Sequence, residues 1–223
     1  MNTKRPIICF MGLDGSGKST CIDYACEQLK LQGVNVEIVR AAYVVTVMSG
    51  IIKLGKKLLM KKNSNPFGGD YRSYLENMRK HSDKGFVYKV FSFLTTIEFK
   101  TQIFFRIILK HAFGKTLLVD RYIFDNVVTY AANLGLGMDY MDNTLNGKWK
   151  HAPRPDLIIY IKTPVDICFS RKDDTPDPLY LEIREPLYDC IAEKYHAVTI
   201  SGAQDKQKML DEVMKSIHLC MNK

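Results

Sequence analysis

The stretch Gly12-Leu13-Asp14-Gly15-Ser16-Gly17-Lys18-Ser19-Thr20 constrains this chain more than any other. It contains G-x-x-x-x-G-K-S, directly after the apolar run Pro6–Met11 and directly before apolar residues at helical spacing (Ile22, Ala25, Leu29). A strand, a glycine-rich turn and a helix in that order form a phosphate-binding loop, or P-loop. Glycines let successive backbone N–H groups point inward at an anion, and the helix N-terminus adds its positive dipole end. In such a loop Lys18 reaches the β- and γ-phosphates of a nucleotide and Ser19 offers its hydroxyl to magnesium. Gly12, Asp14, Gly15, Ser16, Gly17, Lys18, Ser19 and Thr20 are therefore the expected nucleotide-binding residues, with ATP as phosphoryl donor and Mg2+ as its partner.

A second apolar strand, Thr116–Val119, ends in Asp120. An acid at that place supports magnesium beside a P-loop in the same sheet. Further strands are expected at Val34–Val39, Asp156–Ile161 and Ala197–Ile200, and helices at 18–31, 71–81, 86–112, 121–134, 164–171, 180–195 and 204–221. Gly135, Gly137 and Gly147 mark a loop. Strands alternating with helices over 223 residues predict one α/β domain, 1–223, with a five-stranded parallel sheet flanked by helices. The segment 86–112 reads as a long buried helix, with Phe91, Phe93, Phe99, Phe104 and Phe105 in the core. Its charged residues argue against a spanning helix.

Charge is distributed unevenly. Residues 40–115 hold 15 Lys/Arg against 4 Asp/Glu, while the rest of the chain holds 17 against 20. The excess, including Lys53, Lys56, Lys57, Lys61 and Lys62, suits an anionic partner: a phosphorylated small molecule, nucleic acid or a membrane surface. Six scattered cysteines without a C-x-x-C pair argue against a zinc site or disulfide framework and suit a reducing compartment. With no separable leader segment, the expectation is a cytoplasmic protein. The histidines share no ligand spacing. The acidic triplet Asp173, Asp174 and Asp177 reads as part of a mobile loop.

Three motifs in the expected order, Gly12–Thr20, Asp120-Arg121-Tyr122 and Arg154-Pro-Asp-Leu-Ile-Ile-Tyr-Ile161, resemble the thymidylate kinase family, as do Arg171 and the Glu182…Arg184…Tyr188 helix. The resemblance covers roughly 1–40 and 114–223. It implies transfer of the ATP γ-phosphate to a nucleoside monophosphate. Asp14 is then expected to face the acceptor, Arg121 and Arg40 to grip the acceptor phosphate, and Asp120 to hold the magnesium shell or orient the acceptor oxygen. Arg171 and Lys172 fall in a lid, 171–179, whose cations neutralise the transferring phosphoryl group. The chain departs from the family where thymine is read. Ala41-Ala42-Tyr43 stands for Glu-Pro-Gly-Gly, Phe99 falls near the base-reading arginine, and Thr129-Tyr130 stands for Tyr-Gln. Region 41–115 is longer and more basic than the resemblance implies. These departures predict that dTMP is a poor acceptor.

Two rival functions stay in view. One is a kinase of a larger anionic substrate, such as nucleic acid or a membrane-associated glycan or lipid phosphate. The other is a P-loop ATPase or switch, which the lack of an N-K-x-D motif and the Arg after Asp120 disfavour. Association into a homodimer is left open.

Overall fold

The computed structural model describes residues 5–42, 71–81, 85–172, 175 and 177–222, with backbone only for 81 and 85–92. The lysine cluster 53–62, the loop 63–69, Asp173 and Asp174 lie outside the described residues.

Five short strands form one all-parallel sheet in the order β2-β3-β1-β4-β5. They are β1 (Ile7–Met11), β2 (Val36–Arg40), β3 (Thr116–Asp120), β4 (Leu157–Lys162) and β5 (Val198–Ser201). Every residue of β1 and β3 is buried, as expected of strands covered on both faces. Alternation along β1 sends Ile7, Cys9 and Met11 into one core and Ile8 and Phe10 into the other. Helices α1 (Lys18–Leu31) and α10 (Lys206–Met221) cover the second core. On the other side stand α2 (Tyr71–His81), α3 (Gly85–Ile103), α4 (Leu109–Ala112), α5 (Ile123–Leu134), α6 (Met138–Asn146), α7 (Val165–Ser170), α8 (Pro178–Glu182) and α9 (Glu185–Lys194). Phe99, Val127, Met141 and Ile191 are members of that first core. Among the described residues, no helix is long and apolar enough to cross a membrane.

Three expectations need correction. The stretch 135–147 is not a plain loop, because α6 occupies it. Gly135 (φ 68) ends α5 in the left-handed region and Gly137 caps α6, so the glycines bound a helix whose Met141 and Leu145 are buried one turn apart. The expected helix 180–195 is two helices broken at Ile183-Arg184. Pro186 lacks the N–H that a continuous helix would donate to Glu182 O, and it opens α9 instead.

The third concerns the long helix. It runs from α3 through a π-helical segment (Phe104–Ile108) into α4, and it is buried on one side only. Phe99 is in the core and stacks edge-on against Trp149, with ring centroids 5.0 Å apart. Phe93, Phe104 and Phe105 are exposed. Helical spacing places these rings in rows but does not say which row faces inward. Phe91 falls among the residues described by backbone only.

Candidate functional site

All five strands point their C-terminal ends the same way, so the loops that follow them meet at one edge of the sheet. The loop after β1 turns at three glycines with positive φ: Gly12 (141), Gly15 (83) and Gly17 (99). These positions are also crowded. A Cβ on Gly12 would lie 2.5 Å from Ile161 O, and one on Gly15 would lie 2.3 Å from Cys168 O. Conformation and close backbone approach together exclude other residues at these two positions. Thr163 Oγ1 donates to Ser16 O at 3.0 Å and ties the loop to the end of β4.

Register sets the next pair. Arg40 and Asp120 are Cα partners in the β2–β3 ladder, and Arg40 Nε lies 3.4 Å from Asp120 Oδ2. The Arg40 side chain is 75% exposed and Asp120 only 10%, so the carboxylate is fixed while the guanidinium reaches over it. Arg106 Nη1 donates to Arg40 O at 3.3 Å and links the long helix to this edge.

Arg121 follows with φ 58, a left-handed conformation that a non-glycine residue adopts at a cost of about 1 kcal/mol. Its N–H bonds to Phe10 O, and its guanidinium pairs with Asp14 across the site. Tyr180 Oη donates to the other Asp14 oxygen at 3.4 Å. Arg171 donates to Gly202 O at 3.4 Å and to Gly15 O at 3.5 Å, so it lies against the loops after β1 and β5.

The result is one cleft of about 470 Å³. Of the twelve residues singled out from the sequence, eleven line it: Asp14, Gly15, Ser16, Gly17, Lys18, Ser19, Thr20, Arg40, Asp120, Arg121 and Arg171. Gly12 stands behind the wall, where its backbone passes β4. Lys172 also lines the cleft, as do Gly202, Gln204, Lys206 and Met209 from the segment after β5. Sequence reading missed this last group, because no motif marks it. The one available signal was Gly202 just past a strand end. A Cβ there would lie 1.9 Å from Thr163 Oγ1 and 2.6 Å from Ser16 O.

The lining is strongly electropositive. Among the described residues it holds six bases (Lys18, Arg40, Arg121, Arg171, Lys172, Lys206) and two carboxylates (Asp14, Asp120). Lys18 is 6% exposed, and its ammonium donates to Gly12 O at 2.8 Å and Leu13 O at 2.5 Å. Burial pushes its pKa down, against the opposing pull of Asp125 and Asp120. Asp125, a buried residue that sequence reading passed over, accepts from Tyr188 Oη at 2.7 Å and from Tyr122 N at 3.0 Å. Burial raises its pKa, opposed first by the Arg121 charge. It places a carboxyl behind the cleft's cations while capping the first turn of α5.

Other candidate residues fall elsewhere. Thr129 and Tyr130 lie on α5 and do not line the cleft, and Phe99 is in the core. Arg72 and Arg79 are exposed on α2. Asp177 caps α8, its carboxylate accepting from Leu179 N at 2.8 Å. Compared with known families, the chain matches no protein-family model.

Proposed function

We propose that this protein is a P-loop kinase that transfers the γ-phosphate of ATP to a small phosphorylated acceptor, a nucleoside monophosphate in the first instance. The observation that carries the reading is the convergence of four separate stretches of sequence, loop 14–20, Arg40, Asp120-Arg121 and Arg171, on one cleft with six cations and two carboxylates. Its volume is of the size that holds a ligand of nucleotide dimensions.

In this reading the loop 12–17 cradles the ATP phosphates, and Lys18 carries its charge to the β- and γ-phosphates. Magnesium fits the donor set. The Ser19 hydroxyl and Asp120 carboxylate are hard oxygen ligands, and an ion of this kind completes its shell with water and phosphate oxygens. When bound it offsets charge on the β- and γ-phosphates. Arg121 and Arg40 hold the acceptor phosphate in line, with Asp14 and Asp120 fixing their guanidinium groups. An acceptor oxygen attacks the γ-phosphorus, the bond to the β–γ bridging oxygen breaks, and ADP leaves. Arg171 and Lys172, which also line the cleft, meet the charge spread over the transferring group.

A second reading places the acceptor phosphate on nucleic acid or on a membrane-associated glycan or lipid. It is favoured by the exposure of Arg72, Arg79, Lys80 and Lys100 in the described part of the basic region.

The experiment is an acceptor screen that follows ADP release from Mg-ATP, with dTMP beside dUMP, UMP, CMP and non-nucleotide phosphates. The expected result is release that depends on a phosphorylated acceptor other than dTMP. ATP turnover indifferent to every acceptor would instead make the protein an ATPase or switch.

A further inference from the structure

An ordinary surface helix turns apolar residues inward and polar ones outward. From residue 93 to its end at Ala112, however, the long helix is apolar on both sides: Phe99, Ile103 and Ile107 lie in the core while further apolar residues face outward. Its protein-facing side includes Thr95, Thr96, Glu98 and Gln102, all buried. Its outward side carries Phe93, Ile97, Phe104, Phe105 and Ile108, and Phe113 follows just past the helix end. Phe93, Phe105 and Phe113 are 64%, 58% and 74% exposed. The offsets 93, 97, 104 and 108 return to one side of a helix, so these residues form a continuous stripe rather than scattered contacts. A stripe of this kind marks an interaction surface.

The helix and the turn after it carry a net positive charge, although Arg106 turns to Arg40 O and Lys110 and Lys115 turn to Glu37. From 93 to 115 the basic residues are Lys100, Arg106, Lys110 and Lys115, and the one carboxylate, Glu98, is buried on the opposite side. Lys100 is exposed within the stripe, between Ile97 and Phe104. Lys110 and Lys115 share a single partner, Glu37, which leaves that trio with a net positive charge. The Arg5 guanidinium lies beside Gly114 at the same end. Burial, helped by the like charge of Lys100, holds the Lys148 pKa below the ordinary lysine value.

We propose that this aromatic face, with Lys100 in it and the net positive Lys110–Glu37–Lys115 trio near its end, docks the protein on an anionic lipid bilayer, its phenylalanine rings at the headgroup–acyl boundary and the Lys100 ammonium among the lipid phosphates. Aromatic rings and lysines side by side are the chemistry of an interfacial helix, and each cation near such a surface adds to the attraction. No described helix is long and apolar enough to span, so the contact lies on the membrane. A second copy fits less well. A two-fold interface brings the same patch to itself, so each Lys100 ammonium would enter an apolar interface whose described residues bring no carboxylate to that side. On a bilayer the same side chain lays its methylenes along the apolar layer and lifts its charge to the headgroups. This inference stands independently of the kinase reading.

The test is co-sedimentation of the full chain with phosphatidylcholine vesicles, pure or containing about one-third phosphatidylglycerol, at low and high salt. The expected result is partition to the anionic vesicles that falls with salt. Lys100→Glu is expected to weaken it, and Phe104→Ser with Phe105→Ser to weaken it roughly tenfold or more at an unchanged unfolding temperature. Both rings are exposed, so the double variant keeps its core. Equal partition to neutral and anionic vesicles, no partition to either, or full binding by the double variant would overturn the proposal. So would a dimer in light scattering that the double variant converts to monomer, because a second copy would then occupy the face.

Discussion

Arg121 combines a left-handed backbone, an ion pair with Asp14 and a place on the cleft wall. A residue held in a costly conformation at the lip of a site is one whose side chain must be aimed. Arg121→Ala is expected to lower acceptor kcat/KM roughly 100- to 1,000-fold, the usual loss when one charge-stabilising donor is removed. On the proposed reading ATP affinity should change little, because loop 12–17 and Lys18 are untouched. Separate titration of ATP and acceptor checks this, and equal losses for both would assign Arg121 to the shared phosphate site. Lys18 gives a pH prediction of definite sign. Burial lowers its pKa, so the ammonium is fully present at low pH and is lost, as pH rises, earlier than in an exposed lysine. Affinity for Mg-ATP should therefore begin to fall below the ordinary lysine range. Calorimetric titration across alkaline pH measures it, and an affinity flat through that range would mean Lys18 does not meet the phosphates.

Helices α2, α5, α8 and α9 are joined at one buried cation. Arg184, between α8 and α9, is 4% exposed and donates to Tyr71 Oη at 3.0 Å, Asn133 Oδ1 at 2.9 Å and Tyr180 O at 2.6 Å. Its guanidinium also lies 3.7 Å from the Tyr180 ring centroid, and Tyr180 in turn reaches Asp14. Removing it takes one donor from each of Tyr71 Oη, the half-buried Asn133 and the Tyr180 carbonyl, and empties a space walled by three helices. Arg184→Leu is expected to cost about 2–4 kcal/mol, a fall of roughly 5–15 °C in unfolding temperature for a chain of this size. Thermal denaturation reads it, and a change below about 0.5 kcal/mol, the range of an ordinary surface substitution, would mean the cluster does not hold these helices together. Sequence pattern could not show this junction. Tyr71 and Arg184 are 113 positions apart, and nothing in the sequence around either marks the other as its partner. The same limit hid the exposed apolar stripe of the long helix: Phe99 and Phe104 differ only in which side of the helix they occupy.

Across the whole molecule, what was legible was local and periodic. Apolar runs marked the five strands to within two residues, since a strand buried on both faces has little freedom of composition. The glycine-rich loop was legible because its backbone tolerates few alternatives at Gly12 and Gly15. Arg40, Asp120 and Arg171 converge on it because parallel strands end at the same edge, and their proximity follows from the sheet order. The segment after β5 and Asp125 carried no such signature, because their roles arise from packing between elements distant in sequence. The central claim is phosphoryl transfer in this cleft. Its most direct measurement is acceptor-dependent ADP release from Mg-ATP by the wild-type chain and by Lys18→Ala, with circular dichroism as the fold control. The account predicts release by the wild type and a loss of about 100-fold or more in a folded Lys18→Ala variant. Retention of more than about a tenth of the activity in that variant, where a lost charge contact in the transition state costs far more, would contradict it.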